Sequence, residues 1–365
     1  MLHILQLPGT LSRSNGRMTV IMNIYREIIK KDIQFDFLVT EVAENDYSEE
    51  IRKLGGKIFS LPSGKDTLFT VRRKMREVLS NSSYRYDVIH YHAISSWGIA
   101  IDIPYRKKIK VITHSHATKL SDTLLKSLRN RLFSLNIFFN SNQFVACSPE
   151  AGDKLFMGRS FTYLPNAINI ENFLFDEEKR KTYRKMLSIK SNQLVIGNVG
   201  RIAKQKNQLF LLKILVYLLE RGIDTKLVIV GDGNLKKNLQ HEINSAQLQN
   251  NVVLAGAVKN PGDYYSAMDV FLLPSLFEGL PMVGVEAQAN GLPSIFSSQT
   301  SQCVNMFNAS FVDLKEKNVR QWFEAILSHW EGGRDESAIK HIKKQKFDIY
   351  SGVSEWTRLY EILIQ

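Results

Sequence analysis

The pattern of the chain predicts an α/β protein of two Rossmann-like, doubly wound parallel sheets in tandem, facing a central cleft. Three observations carry this. Short apolar runs alternate with longer amphipathic ones along the whole sequence, as strands do when joined by crossover helices. The alternation breaks once, at Leu164-Pro165-Asn166-Ala167-Ile168-Asn169, before a second series begins. At 365 residues the chain is long for one core and suits two. We place the domains at residues 1–167 and 168–349, with about 350–365 forming an amphipathic helix that returns to the first domain. Open parallel sheets bind ligands beyond the carboxyl ends of their strands, so the cleft between two of them is the natural site.

In the first domain, strands are expected at 3–7, 35–39, 57–61, 87–92, 110–114, 143–148 and 161–165. Helical stretches fall between them, among them 18–30, 68–79 and 121–139. A charged helical segment at 176–185 leads into the second domain, whose strands are expected at 194–200, 226–231, 251–255, 270–273 and 293–296.

A hydrophobic content of 44% with 23% charged residues fits a soluble globular protein. Two cysteines, Cys147 and Cys303, make neither a disulfide framework nor a metal spacing, which predicts a reducing, cytoplasmic setting. The first residues run straight into a strand with no signal-peptide pattern. The most apolar helical stretch, 209–219, contains Lys213 and is too short to span a bilayer.

The net charge of +12 is uneven: residues 1–170 hold 24 Lys and Arg against 15 Asp and Glu, and residues 171–365 hold 24 against 21. The first half therefore carries most of the positive field, which suits an anionic membrane surface, a nucleic acid or a phosphorylated substrate. No RNA- or DNA-binding module is visible, which argues against nucleic acid. Residues 106–131 hold eight Lys and Arg and one acid, Asp122. The later part of this region, 120–139, interleaves Leu and Phe with Lys126, Arg129 and Arg131. It suits either a basic helix lying on an anionic membrane or a surface helix packed on its own sheet.

The most informative stretch is Leu273-Pro274-Ser275-Leu276-Phe277-Glu278-Gly279-Leu280-Pro281-Met282-Val283-Gly284-Val285-Glu286-Ala287. Two carboxylates, Glu278 and Glu286, stand eight positions apart. Pro281 is placed as the first residue of a helix and Asn290-Gly291 as its end. Glu278 then lies in a loop and Glu286 on the helix, and the amides of Gly279, Leu280 and Met282 open at a helix N-terminus, where anions bind. A plain strand–turn–helix connection with two solvated glutamates is the other reading.

Other candidates lie at strand ends. Gly197-Asn198-Val199-Gly200-Arg201-Ile202-Ala203-Lys204-Gln205-Lys206-Asn207 closes the first strand of the second domain. Arg201 as a planar fork and Lys206 as a point charge would clamp a diphosphate, or they belong to an ordinary basic loop. Val230-Gly231-Asp232-Gly233 reads as a tight glycine turn and not as a dinucleotide fingerprint. Gly16, between the first strand and its helix, lets a backbone approach a ligand. His90, His92, His114 and His116 end two strands. No third or fourth ligand has a plausible spacing for zinc, so the four are expected to face substrate. The chain has no Asp-x-Asp pair to hold a metal–diphosphate. Neither metal nor cofactor is therefore expected.

Together these pieces resemble the retaining GT-B glycosyltransferases, in particular bacterial family four, over essentially the whole chain. Glu278-Gly279-Leu280-Pro281…Glu286 looks like that family's E-x7-E element, and Gly200-Arg201…Lys206-Asn207 like its G-R…K-N element. Asn15-Gly16, Asp87-Val88-Ile89-His90, Val145-Ala146-Cys147-Ser148 and Pro165-Asn166-Ala167-Ile168 also resemble family segments. Met22-Asn23-Ile24-Tyr25-Arg26 and His114-Ser115-His116 look like its exopolysaccharide and capsule branch. The resemblance implies that Arg201 and Lys206 bind the donor diphosphate and that Glu286 binds the ribose. Glu278, with the amides of Gly279 and Leu280, would hold the donor sugar. Gly16 would approach the phosphate, and His116 would face the sugar or acceptor. His114, His90 and Asn166 would fall on the acceptor side. Two positions depart: Asn15-Gly16 stands where two glycines are usual, and Pro165-Asn166-Ala167-Ile168-Asn169 stands for P-N-G-I-D.

The implied activity is transfer of a hexose from a nucleotide-diphosphate sugar, UDP in the simplest case, to a lipid-linked saccharide in surface polysaccharide synthesis. The enzyme would work in the cytoplasm, peripheral on the anionic inner face of the plasma membrane. The alternatives are an isomerase or epimerase of UDP-sugars with a GT-B-like fold, and a non-catalytic membrane-associated partner.

Overall fold

The computed structural model describes residues 1–13, 15–44, 46–61, 67–92, 96–116 and 135–365. The chain forms two compact units: Met1–Ala167 with Ile349–Gln365, and Ile168–Asp348.

The first unit holds a parallel sheet of β1 (Leu2–Gly9), β2 (Ile33–Val39), β3 (Ile58–Ser60), β4 (Val88–His92), β5 (Lys110–Ser115), β6 (Gln143–Ala146) and β7 (Thr162–Tyr163), in the order β3-β2-β1-β4-β5-β6-β7. Helices on both faces bury its inner strands completely, with the polar Gln34, Asp36, His90 and His92 buried among the apolar residues. On one face Ile4, Phe35, Val88, Ile112 and Val145 pack under the helices Gly16–Ile28 and Ile349–Ile364. On the other, Leu5, Ile89 and Val111 meet Val71, Met75 and Val78 of the helix Leu68–Asn81.

The C-terminal helix spans Ile349–Ile364, close to the expected 350–365. Ile349, Val353, Trp356 and Tyr360 lie on one side and join the first unit's core. Gly352 is required there, because a Cβ would stand 2.4 Å from the Ala167 Cβ. The departure at Ala167 is thus matched by a glycine in the helix that covers it. Asn169, the other departure, accepts the Glu171 N–H and caps a short 3₁₀ turn.

The second unit holds β8 (Leu194–Val199), β9 (Thr225–Val230), β10 (Val252–Gly256), β11 (Val270–Leu273), β12 (Ser294–Ser297) and β13 (Ala309–Val312), in the order β10-β9-β8-β11-β12-β13. The apolar stretch Leu209–Leu219 is a core helix: Leu211, Ile214, Leu215 and Leu218 are buried with Trp322 against Ile196 and Ile229. Strand β13 has no counterpart in the sequence reading, because it is four residues long and only half-buried, with no apolar run to mark it. The expected helix at 121–139, with Lys126, Arg129 and Arg131, lies largely outside the described residues; 135–140 are helical. Among the described residues no helix is long and apolar enough to cross a membrane.

Strand order reverses between β1 and β4 in the first sheet and between β8 and β11 in the second. Such switch points are where doubly wound sheets open a crevice for ligands.

Candidate active site

In the second unit the switch point brings together the loop after β8 and the loop after β11. The Leu276 N–H donates to the Gln205 carbonyl at 2.8 Å, and Gln205 Nε2 returns a bond to the Phe277 carbonyl at 3.1 Å. This stitching sets Lys206 beside Glu278, with Nζ 2.7 Å from Oε1 and both side chains largely buried. The backbone of Glu278 is held separately, by a bridge to Thr300. Arg201 is anchored through its carbonyl, which accepts from Gln208 Nε2 at 3.0 Å. Its side chain is exposed and has no ion-pair partner among the described residues.

The glycines of the turn after β9 have a steric reason. A Cβ on Gly231 would meet the Gly200 carbonyl oxygen at 2.0 Å, and one on Gly233 the Ile202 oxygen at 2.1 Å. The loop carrying Arg201 lies directly on these two residues, and Ile202 N–H donates to the Asp232 carbonyl.

Pro281 is the N-cap of the helix Met282–Ala289, in extended conformation, and not its first residue. The prediction of Pro281 as the first turn's opening residue is corrected by one position, because its ψ of 113° is extended. No side chain caps this end, so the first turn keeps its N–H groups directed out of the helix. Asn290 and Gly291, the latter at φ 72°, end the helix where expected. Glu286 is buried and accepts from the Tyr265 hydroxyl at 3.0 Å. Burial pushes its carboxyl up to about 7, against the opposing pull of the Tyr265 bond and the Lys206 charge. Lys206 thus pairs with Glu278 directly and acts on Glu286 through its charge alone.

In the first unit Gly16 opens the first helix after Asn15, whose side chain accepts the Arg17 N–H. Among the described residues nothing lies within 4 Å of a Cβ built on Gly16, so their packing does not demand glycine there. Arg17 donates to the His92 carbonyl at 3.3 Å. The parallel register sets His92 opposite His114, and their neighbours His90 and His116 complete a stack with ring centroids 4.0–5.5 Å apart. Burial holds His90, His92 and His116 well below the ordinary imidazole range and brings His114 to about 3. The Arg17 charge adds to this at His92, His114 and His116, and Asn166 reaches His116 and opposes it slightly. All four rings are neutral at physiological pH.

A model for "Glycosyl transferases group 1" matches residues 179–345, and one for "Glycosyltransferase Family 4" matches residues 14–172. EpsF of Bacillus subtilis (strain 168), named as a glycosyltransferase, is 32% identical over 364 residues, spanning 95% of this chain and 93% of that protein. The chain belongs to the group 1 glycosyltransferases. A second relative, the UDP-Gal:alpha-D-GlcNAc-diphosphoundecaprenol alpha-1,3-galactosyltransferase of Escherichia coli, is 29% identical over 251 residues, 64% of each chain. The glycosyltransferase also shares its fold with Anabaena Alr3699/HepE solved with UDP-glucose, at a TM-score of 0.82 and 16% identity over all of both chains. The architecture is GT-B.

Set on this glycosyltransferase, the sequence reading needs two corrections. His90 does not face an acceptor: it is wholly buried under Trp356 and Tyr360, with both ring nitrogens bonded inside the protein. The spacing argument about metal ligands also fails, because strand pairing brings His90, His92 and His114 within 4.8 Å of one another. Five of their six nitrogens are spent on hydrogen bonds, and His114 Nε2 alone has none among the described residues. His114 is buried as well, and Asn166 nearly so. Three participants were missed. Arg17 follows Gly16 directly and was hidden as one more basic residue. Tyr265 precedes Glu286 by 21 positions and Gln6 sits inside an apolar strand. Only Gln6, a buried polar residue in a run of aliphatics, left a signal.

Proposed function

We propose that this glycosyltransferase moves a hexose from a UDP-sugar to a lipid-linked saccharide, with retention at the anomeric carbon, in building a surface polysaccharide. The observation that carries the reading is the Lys206–Glu278 pair standing with Glu286 at the β8/β11 switch point, beside an uncapped helix N-terminus. The donor diphosphate draws Lys206 from Glu278 and takes Arg201 as a second cation. Glu278, so released, accepts from hydroxyls of the donor sugar, alongside the amides of Gly279 and Leu280. Glu286 accepts from the ribose. Gly16 admits the phosphate close to the backbone, and His116 serves the sugar or acceptor, with His114 and Asn166 beside it.

In the reaction the bond from the anomeric carbon to the diphosphate oxygen breaks, and a bond to an acceptor hydroxyl oxygen forms on the same face. The departing diphosphate takes the acceptor proton. No metal is needed in this scheme, because Arg201, Lys206 and the helix amides meet the leaving-group charge. The named activity of the Escherichia coli relative supports both the UDP donor and the diphosphoundecaprenol-linked acceptor. The basic balance of residues 1–170 supports work at the anionic inner face of the plasma membrane.

UDP release measured with and without membrane lipid extract tests this. Release that depends on the extract is expected. Consumption of UDP-sugar without extract would instead favour an isomerase, and no consumption at all a non-catalytic partner. Arg201→Ala removes an exposed, unpaired cation, so its melting temperature should match wild type while transfer is lost. Glu278→Gln keeps a polar group against Lys206 and should also lose transfer. Full activity in both variants sinks the assignment.

A further inference from the structure

The four histidines are joined into one hydrogen-bonded ladder by Gln6 of β1 and Tyr360 of the C-terminal helix. Gln6 is its branch point. Its Nε2 donates to the Tyr360 hydroxyl at 3.1 Å, and its Oε1 lies 2.8 Å from His92 Nε2. A carboxamide oxygen only accepts, so His92 carries its proton on Nε2 and leaves Nδ1 bare. His116 Nε2 lies 2.8 Å from that bare nitrogen and must donate to it. The remaining nitrogen of His116, Nδ1, is then an acceptor.

The other branch follows the same rule. Tyr360 takes the Gln6 N–H and gives its own proton to His90 Nδ1 at 2.8 Å. His90 Nε2 donates to His114 Nδ1 at 3.2 Å, which leaves His114 with Nε2–H. His114 Nε2 and His116 Nδ1 are the two buried ring nitrogens of the ladder with no hydrogen-bond partner among the described residues, although the Asn166 side chain lies beside His116. One is a donor and the other an acceptor. Turning the Gln6 amide over would reverse both branches together and move all four protons to Nδ1.

We infer that Gln6, held by Tyr360, is a positioning residue that sets which ring nitrogen of His116 carries the proton. His116 then meets its substrate as an acceptor for a hydroxyl proton. Four elements bear on this one amide: β1, β4, β5 and the terminal helix. The effect on transfer rate rests on the reading of His116 as substrate-facing; the placement of the protons does not.

Nitrogen-15 imidazole spectra of the full chain test the inference, with each histidine assigned by its own substitution. In the wild-type protein all four rings should appear as Nε2–H tautomers. In Gln6→Leu the His92 and His116 signals should become tautomer mixtures, and kcat should fall about tenfold, as for one lost hydrogen bond, with KM for the donor nearly constant. Tyr360→Phe frees the Gln6 amide and should mix the same two rings; it serves if Gln6→Leu does not fold. A wild-type His116 protonated on Nδ1 overturns the inference. So do unchanged His92 and His116 tautomers in a folded variant. The spectra need no sugar donor, so a failure of the transferase reading would leave this result standing on its own.

Discussion

The environment of Glu286 runs against the ribose-binding role proposed for it. A carboxylate that accepts from hydroxyls should be ionised, yet burial raises this one to about 7. The folded state therefore holds the proton more tightly than the unfolded chain, whose value is near 4.5. The group's contribution to stability is fully present below pH 4.5 and is lost as pH rises through about 7. Glu286→Gln removes that loss. Its stability relative to wild type should increase between pH 5 and pH 8, by up to about 3 kcal/mol, as urea unfolding would read. The affinity of wild-type protein for UDP should rise over the same range more steeply than that of the variant. Parallel curves for the two proteins would remove Glu286 from the ribose site. Gly16 makes a second test at this scale. It has an ordinary backbone conformation and open space around it. Gly16→Ala should leave stability unchanged or raise it by about 0.5 kcal/mol. The KM for donor should nevertheless rise about tenfold if a phosphate approaches this backbone. A lower melting temperature with unchanged KM would make Gly16 a folding residue.

At the scale of elements, the site depends on one loop lying upon another. Gly233 sits under the Ile202 carbonyl, and that contact is backbone against backbone, so an added methyl cannot turn away. Gly233→Ala should cost about 1–3 kcal/mol of stability and raise the KM for donor through the displaced Arg201 loop. Gly332, with nothing near it and an unstrained backbone, is the control and should stay within about 0.5 kcal/mol when changed to Ala. Wild-type KM in a destabilised Gly233→Ala protein would separate that loop from donor binding. These elements were legible to different degrees. Strands and helices came from apolar periodicity, which is clearest in the buried central strands of each sheet. Glu278 and Glu286 were legible as a pair because a single loop-and-helix unit carries both. Lys206 beside Glu278 was not legible from local pattern, because 72 positions separate them and only the adjacency of β8 and β11 joins them. The histidines show the same limit. Alternate spacing put His90 with His92 and His114 with His116 on a face each, but the register of β4 on β5 decides that the two pairs stack. Spacing along the chain carries no register, and so it misjudged both their burial and their closeness.

Across the whole molecule, the two units carry buried groups of opposite pH behaviour. The four histidines of the first unit are held neutral, with folded values below the unfolded value of 6.5. The unfolded chain therefore binds more protons, and the stability they confer is present above pH 6.5 and is lost as pH falls, for His114 down to about 3. Each such ring steepens the loss by about 1.4 kcal/mol per pH unit while it titrates only in the unfolded chain. Glu286 in the second unit runs the other way and relieves its cost over the same descent. Lowering the pH from 7 to 5 should thus bring down the melting of the first unit well ahead of the second. Calorimetry would show two transitions moving apart, and amide exchange would assign the earlier one to residues 1–167 and 349–365. The terminal helix should exchange with the first unit, since Trp356 and Tyr360 pack directly against His90. Replacing His114 by Gln keeps a polar side chain and removes one titrating group. It should flatten the acid limb of the first transition by one proton and leave the second where it was. A second transition that leads the first at pH 5, or an acid limb that His114→Gln does not flatten, would mean that the buried rings do not govern this unit's acid stability.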